Sequence, residues 1–154
     1  MTNLSELFPA GAGKEVDFTV QQNNTTTTYA VTVSGGDFYI DGTQQPTLTL
    51  TEGSTYKFDQ ADSTNSTHPL RFSTTSDGTH GGGSEYTSGV TTNGTAGSSG
   101  AYTQIVVPVG APTLYYYCSA HSGMGGTLNI AQPADNISQN GKAVVLNSDG
   151  TVTG

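Results

Sequence analysis

The sequence predicts an all-β domain, and three observations favour that class. Apolar residues alternate with polar ones over short runs, as at 29–33 and 48–50, and this period of two is typical of strands with one buried face. No window of about 12 residues has a helical period. The dipeptides Asp41-Gly42 and Glu52-Gly53 are turn signals between neighbouring runs. We therefore expect short strands joined by tight turns.

The elements follow in order along the chain. Strands are expected at 17–21, 28–33, 37–41, 47–51, 55–59, 70–74, 102–107, 113–118, 126–130 and 142–146. The alternation assigns to the core Phe58, Leu70, Phe72, Ile105, Val107 and Leu128. Residues 75–101 are almost wholly Gly, Ser, Thr, Asn and Asp. They predict a long loop with room for one short pairing, and such loops within a compact domain are often functional.

Changes in composition divide the chain into three parts. Residues 1–27 are expected to form an N-terminal arm and a first strand, residues 28–131 the main domain, and residues 132–154 a short β extension that pairs with 17–21. The flanks carry apolar side chains without a core of their own. We therefore expect contacts with identical copies or other proteins through 1–16 and 137–152. The half-made hairpin at the end also fits the front piece of a longer protein.

The charge balance and the single cysteine exclude several classes of protein. Four Lys+Arg against twelve Asp+Glu give a net charge of -8, which argues against binding to nucleic-acid phosphates. No apolar run approaches the roughly 18 residues of a membrane span. The first residues lack the basic start and apolar stretch of a secretory signal. One cysteine excludes an internal disulfide.

The segment with the most specific chemistry holds Cys118, His121 and Met124 on a tight loop between two predicted strands. His68 lies at the start of another predicted strand, about 50 residues earlier. Two imidazoles, one thiolate and a weak thioether form the ligand set of a blue-copper electron-transfer site. Soft sulfur suits Cu(I), and imidazole suits both oxidation states. The sequence therefore predicts a metal site.

Other interpretations of these residues stay open. Each residue taken alone is usually structural: a buried cysteine, a surface histidine or a loop methionine. Zinc is a weaker option, because structural zinc sites have four Cys or His ligands. A Cys-His nucleophile lacks a nearby orienting Asp or Asn, so no catalytic role is expected. His80 is expected to be a solvated loop residue, and the tyrosines at 115–117 to pack in the ordinary way.

The stretch from Tyr117 to Met124 resembles the ligand loop of the cupredoxins. Its short Cys-x-x-His-x-x-Met spacing is similar to that of amicyanin, whereas plastocyanin-like members have Cys-Ser-Pro-His and a longer run to Met. The resemblance implies an antiparallel Greek-key β-sandwich and a type 1 copper site with His68, Cys118, His121 and Met124 as ligands. Many cupredoxins have Asn after the first His, where this chain has Pro69. Support for the ligand loop must then come from elsewhere.

A second resemblance concerns the flanks and the stretch 68–80. That stretch, together with the tyrosine-cysteine loop, looks like cupredoxin-like modules of marine phage and marine bacterial proteins, and 7–11 and 140–150 resemble virion structural proteins of such phages. This implies a virion-associated structural or decoration protein, of capsid or tail, located in the virion. The alternatives are an electron-transfer blue-copper protein, extracellular or periplasmic as part of a larger protein, and a surface adhesion module.

Overall fold

The computed structural model describes residues 25–133 throughout, together with the strand backbones at 19–21, 136–139, 142–146 and 152–153. The chain divides into two compact units, residues 24–132 and the two flanks 1–23 and 133–154. The predicted contact segment 1–16 lies outside the described residues, as do the side chains of 137–152. The predicted three-part division of the chain stays a prediction.

The flanking unit contains one antiparallel sheet of four short strands. Their bounds are Thr19–Gln21 (β1), Asn136–Gln139 (β12), Lys142–Leu146 (β13) and Val152–Thr153 (β14), and they lie in the order β1-β12-β13-β14. Val20 lies opposite Ile137, and Ile137 lies opposite Val144. The N-terminal and C-terminal flanks are thus joined by backbone pairing, with every neighbouring pair antiparallel.

The larger unit is a sandwich of two sheets. Its strands are Thr26–Ser34 (β2), Asp37–Ile40 (β3), Thr43–Gln44 (β4), Leu48–Thr51 (β5), Thr55–Asp59 (β6), Leu70–Ser73 (β7), Val90–Asn93 (β8), Tyr102–Val106 (β9), Leu114–Cys118 (β10) and Gly126–Ala131 (β11). One sheet has the order β5-β11-β10-β7 and the other β4-β3-β2-β6-β9-β8. The described residues include 3₁₀ turns at Ser63–Asn65 and Gly78–Gly81 and no α-helix. Within them, no helix has the length and apolar character to cross a membrane.

Two strand pairs in the sandwich are parallel, and the others are antiparallel. β2 pairs in parallel with β6, and β5 with β11. Parallel neighbours need a long connection. Between β2 and β6 the chain makes β3 and β4 in one sheet and then β5 in the other. This crossing between sheets supplies the connection, and the predicted all-β sandwich is confirmed.

The core forms where the inner faces of the two sheets meet. The ring of Phe58, on β6, has its centroid 5.4 Å from that of Phe72 on β7 and 6.5 Å from that of Tyr116 on β10. Aromatic pairs at such distances contribute about 0.5–1.5 kcal/mol beyond the area they bury. The six residues that the alternation assigns to the core are all buried, which confirms that prediction.

The polar stretch 75–101 falls into two parts. Its second part contains β8, which pairs with the edge of β9. The first part, together with Thr74 before it, leaves β7 and returns to it, and we call residues 74–84 the 74–84 loop. Ser73 Oγ donates a hydrogen bond to the carbonyl of Ser84, and the Tyr86 N–H donates to the carbonyl of Phe72. The 74–84 loop is therefore closed at its base on β7.

Candidate metal centre

His68 precedes β7 and is held through its backbone. Its N–H donates to the carbonyl of Asn65 at 2.8 Å. The side-chain amide of Gln60 donates through Nε2 to the carbonyl of His68 and accepts the N–H of Leu70 on Oε1, each at 2.9 Å. Gln60 is only 2% exposed, so water competes little with these bonds. The buried amide therefore holds the backbone on both sides of Pro69.

Asn65 extends this support into the neighbouring sheet. Its Nδ2 donates to the carbonyl of Val31 on β2 at 2.7 Å, and its Oδ1 accepts from Gln60 Nε2 at 3.3 Å. Asn65 is fully buried. Buried polar groups of this kind fix a backbone in place when every member has a partner. The segment that carries His68 is thus tied to both sheets of the sandwich.

Strand register brings Cys118 close to His68. Cys118 is the last residue of β10 and lies opposite Leu70 of β7. Side chains two positions apart along an extended chain point to the same side, so His68 and Leu70 share the side on which Cys118 lies. The Ser119 N–H donates to the carbonyl of Pro69 at 3.0 Å, just past the strand end. His121 follows in the connection between β10 and β11, which we call the 119–125 loop.

Three of the four predicted ligands meet at this end of the sandwich. Cys118 Sγ lies 3.9 Å from His68 Nδ1 and 3.7 Å from His121 Nδ1. The centroids of the two imidazole rings are 4.6 Å apart. Among the described residues, the ligand atoms of His68, Cys118 and His121 all lie within 4.8 Å of one another. The three donors therefore face a common point.

The sulfur-to-nitrogen distances fit a shared metal. With bonds of about 2.0–2.1 Å to nitrogen and about 2.3 Å to sulfur, a trigonal angle of about 120° separates the two ligand atoms by about 3.8 Å. The observed separations of 3.9 and 3.7 Å lie on either side of that value. The donor set, two imidazoles and one thiol, is that of a trigonal copper site.

Burial differs among the three residues, and it affects the protonation of His68. Cys118 is fully buried, His68 is partly buried and His121 is exposed. Burial, and secondarily the charge of His121, lower the pKa of His68. A histidine with a lowered pKa stays neutral at pH 7, and its free ring nitrogen is available to a metal. The site combines a shielded sulfur with one imidazole that reaches solvent.

Met124 lies near the end of the 119–125 loop and is 1% exposed. Its carbonyl accepts the N–H of Phe38 at 3.0 Å, and the neighbouring Gly123 carbonyl accepts from Gln45 Nε2. These contacts anchor the chain after His121 to the β3–β4 region. The side chain packs within the buried cluster that also contains Cys118. Its role as a weak fourth ligand stays a prediction.

His80 contacts the site, but through the backbone of the ligand-bearing strand. Its Nε2 lies 3.0 Å from the carbonyl oxygen of Cys118. Because a carbonyl only accepts, Nε2 carries the proton in this contact. The sequence predicts a solvated His80, and its side chain is exposed. Its ring nevertheless contacts the last carbonyl of β10. No sequence pattern indicated this contact.

Gln60 was also missed, although the sequence carries a signal for it. Tyr56, Phe58 and Gln60 share one side of an alternating run, so Gln60 is a polar residue at a position that the pattern assigns to the core. A polar side chain at a core position requires a hydrogen-bond partner. Here the partners are the backbone groups around His68.

Comparison with known proteins adds one likeness. No family model matches the chain, and the search of curated proteins found no match. Among solved structures, the chain is similar to reduced rusticyanin, with 18% sequence identity and a TM-score of 0.40, over 75% of this chain and 89% of that one. The strand order and the packing of the two sheets show the fold. It is an all-β sandwich of two sheets.

Proposed function

We propose that this chain binds one copper ion of the type 1 class. His68 Nδ1, Cys118 Sγ and His121 Nδ1 are the three strong ligands, and Met124 is a weak axial one. The observation that supports this most directly is the pair of sulfur-to-nitrogen distances, 3.9 and 3.7 Å, which fit a metal at the centre of a trigonal arrangement. Copper supplies one-electron redox chemistry when bound.

Copper is favoured over zinc by the nature of the ligands. Structural zinc sites have four Cys or His ligands, whereas the described cluster has three. The fourth predicted ligand is the thioether of Met124, three residues after His121. Soft sulfur and imidazole together serve both Cu(I) and Cu(II). A cage of this kind, with its backbone tied to two sheets, needs little rearrangement when an electron enters or leaves.

The chain's own residues set the route for an electron. Cys118 is fully buried and His121 is exposed, so the imidazole of His121 is the ligand that a redox partner approaches. The shielded sulfur is kept from water, which limits its oxidation. Electron transfer with a small partner, rather than catalysis, is the activity that this arrangement supports.

The test uses purified protein with its thiol reduced and then freed of reductant. Addition of Cu(II) should produce an intense blue colour that saturates at one copper per chain, because thiolate-to-copper charge transfer needs a bound thiolate. Cys118→Ser should lose the colour and keep the unfolding midpoint within a few degrees. A folded protein with a free thiol that stays colourless with Cu(II) overturns the proposal.

Two further variants separate the ligand roles. His121→Ala should lose the blue colour or lower copper affinity by at least about tenfold, since metal sites weaken by that factor even when only supporting groups are lost. Met124→Leu, which is similar in volume, should keep the colour and shift its spectrum. An unchanged spectrum and affinity in Met124→Leu would remove Met124 from the ligand set.

A virion-associated structural or decoration role stays a prediction. It depends on segments 1–16 and 137–152, which are expected to contact other virion proteins or identical copies. Deletion of residues 1–16 tests it: a truncated protein that assembles or joins its particle as well as the intact one contradicts the role. This outcome is independent of copper binding, because 1–16 lies outside the larger unit that carries the candidate ligands.

A further inference from the structure

The 74–84 loop contacts the 119–125 loop at both of its ends. His80 Nε2 lies 3.0 Å from the carbonyl oxygen of Cys118, where the 119–125 loop begins. Asp77 Oδ1 accepts the N–H of Gly123 at 2.9 Å, just before the chain enters β11. His121 lies between these two contacts. The segment that carries the exposed ligand is therefore held at both ends by side chains from another loop.

The 74–84 loop is held in shape by hydrogen bonds of its own. Gly83 N–H donates to the carbonyl of Gly78, and Gly78 N–H to that of Thr75. Thr75 N–H donates to Ser73 Oγ at the base of the loop. Beyond that base, Arg71 Nε lies 3.3 Å from a carboxylate oxygen of Glu85. A loop closed by its own hydrogen bonds holds a side chain in place at a lower entropic cost than an open loop does.

A close contact between Gly78 and Tyr117 fixes the position of the 74–84 loop. Gly78 is buried directly against the ring of Tyr117, and a Cβ at this position would lie 2.5 Å from three ring carbons. Its φ of +53° also belongs to the left-handed region that favours glycine. Because Gly78 follows Asp77 and precedes His80 by two residues, its contact with Tyr117 sets where both side chains reach.

We propose that Asp77 and His80 are positioning residues that clamp the 119–125 loop, so that the thiol of Cys118 and the imidazole of His121 stay aligned with His68. This inference rests on the proposed copper site for its purpose, although the clamp is a property of the protein without metal. Neither side chain belongs to the three-ligand cluster. Each acts through the backbone of the loop.

The first measurement needs no metal. Cys118 is fully buried, so an aromatic disulfide reagent reaches its thiol only when the loop opens, and the modification rate reports that opening. Loss of either hydrogen bond should raise the rate roughly threefold to tenfold, and loss of both by about tenfold or more. The global unfolding midpoint should change little, since His80 is exposed and Asp77 is only half-buried.

Matched variants isolate the hydrogen bonds. Asp77 has φ +60°, a conformation that Gly and Asn tolerate. Asp77→Gly removes the acceptor, whereas Asp77→Asn makes the same change in charge and keeps an acceptor oxygen. Likewise His80→Ala removes the donor, whereas His80→Gln keeps an N–H of similar reach. The clamp requires that Asn and Gln stay near the wild-type rate and that Gly and Ala do not.

The second measurement uses the copper-loaded protein. Competition with a chelator gives the rate of Cu(II) loss, and Asp77→Gly combined with His80→Ala should raise that rate by about tenfold and broaden the charge-transfer band. If the wild type binds no copper, the proposed function fails. The thiol assay still tests the clamp in that case, because it needs no metal. Wild-type-like thiol rates in the double variant overturn the clamp. The clamp is also overturned if the double variant is blue and loses Cu(II) to the chelator at the wild-type rate.

Discussion

His68 and the 119–125 loop are supported by two different sets of side chains. Behind His68, the amides of Gln60 and Asn65 are buried and joined to backbone groups of both sheets. The 119–125 loop is held by Asp77 and His80, which come from an exposed loop. Buried hydrogen bonds contribute to the fold as well as to the site, whereas exposed ones contribute little to global stability. Removing the buried support should therefore lower the free energy of unfolding, whereas removing the exposed one should mainly affect the site.

The largest expected effect is on the buried side. Gln60→Met keeps approximately the volume but leaves the His68 carbonyl and the Leu70 N–H without their partner. Each unpaired buried group costs about 1–3 kcal/mol, so for two groups we expect a loss of about 2–6 kcal/mol in the free energy of unfolding, measured with denaturant. Weaker copper binding should accompany the loss of stability.

Gln104→Met is the matched control for that change. Gln104 lies on β9, and within the described residues its side chain has no hydrogen bond that the substitution removes. Its free energy of unfolding should stay within about 0.5 kcal/mol of the wild-type value. Equal losses in the two variants would mean that the amide of Gln60 has no special role behind His68.

An intermediate effect is expected where the 74–84 loop meets the strand that carries Cys118. Gly78→Ala introduces a Cβ into the ring of Tyr117 at a φ of +53°, and we expect a loss of about 2–3 kcal/mol from strain and crowding. The control Gly82→Ala has φ +83° and open space around the added Cβ. It should lose about 1 kcal/mol, from the backbone term alone.

The comparison of these two glycine variants also concerns the site. Gly78→Ala should displace Asp77 and His80 and speed modification of the Cys118 thiol, whereas Gly82→Ala should leave that rate unchanged. Equal unfolding free energies for Gly78→Ala and Gly82→Ala would show that the ring of Tyr117 moves aside at little cost. The 74–84 loop would then not be set by that contact.

The smallest effect is expected for a hydrogen bond that lies apart from both supports. The Tyr116 hydroxyl donates to the carbonyl of Pro46 at 2.9 Å, and burial raises the pKa of this phenol. Tyr116→Phe should cost about 0.5–1.5 kcal/mol in the free energy of unfolding and leave the copper spectrum unchanged. Tyr115→Phe, on the same strand, serves as the control and should be nearly neutral. A changed copper spectrum in Tyr116→Phe would show that the core of β10 is coupled to the site.

Most of the strands could be predicted because their cause is local. The alternation around Tyr56 and Phe58 marks a half-buried strand wherever it lies, and β6 has the predicted bounds. The two-residue strand β4 carries no such pattern and was missed. The parallel pairing of β2 with β6 could not be predicted, because strand neighbours are chosen by the path of the chain between the sheets.

By itself, the sequence determined the fold class and the chemistry of the donors. Period two buries one face of each strand, and the short spacing from Cys118 to His121 places thiol and imidazole on one turn whatever the rest of the chain does. Only the tertiary structure decided that His68, fifty positions away, meets them, since this depends on the register of β7 against β10. It also decided that Asp77, His80 and Gln60 support the site. Long-range contacts of this kind follow from how the sheets pack, and no local pattern of residues encodes them.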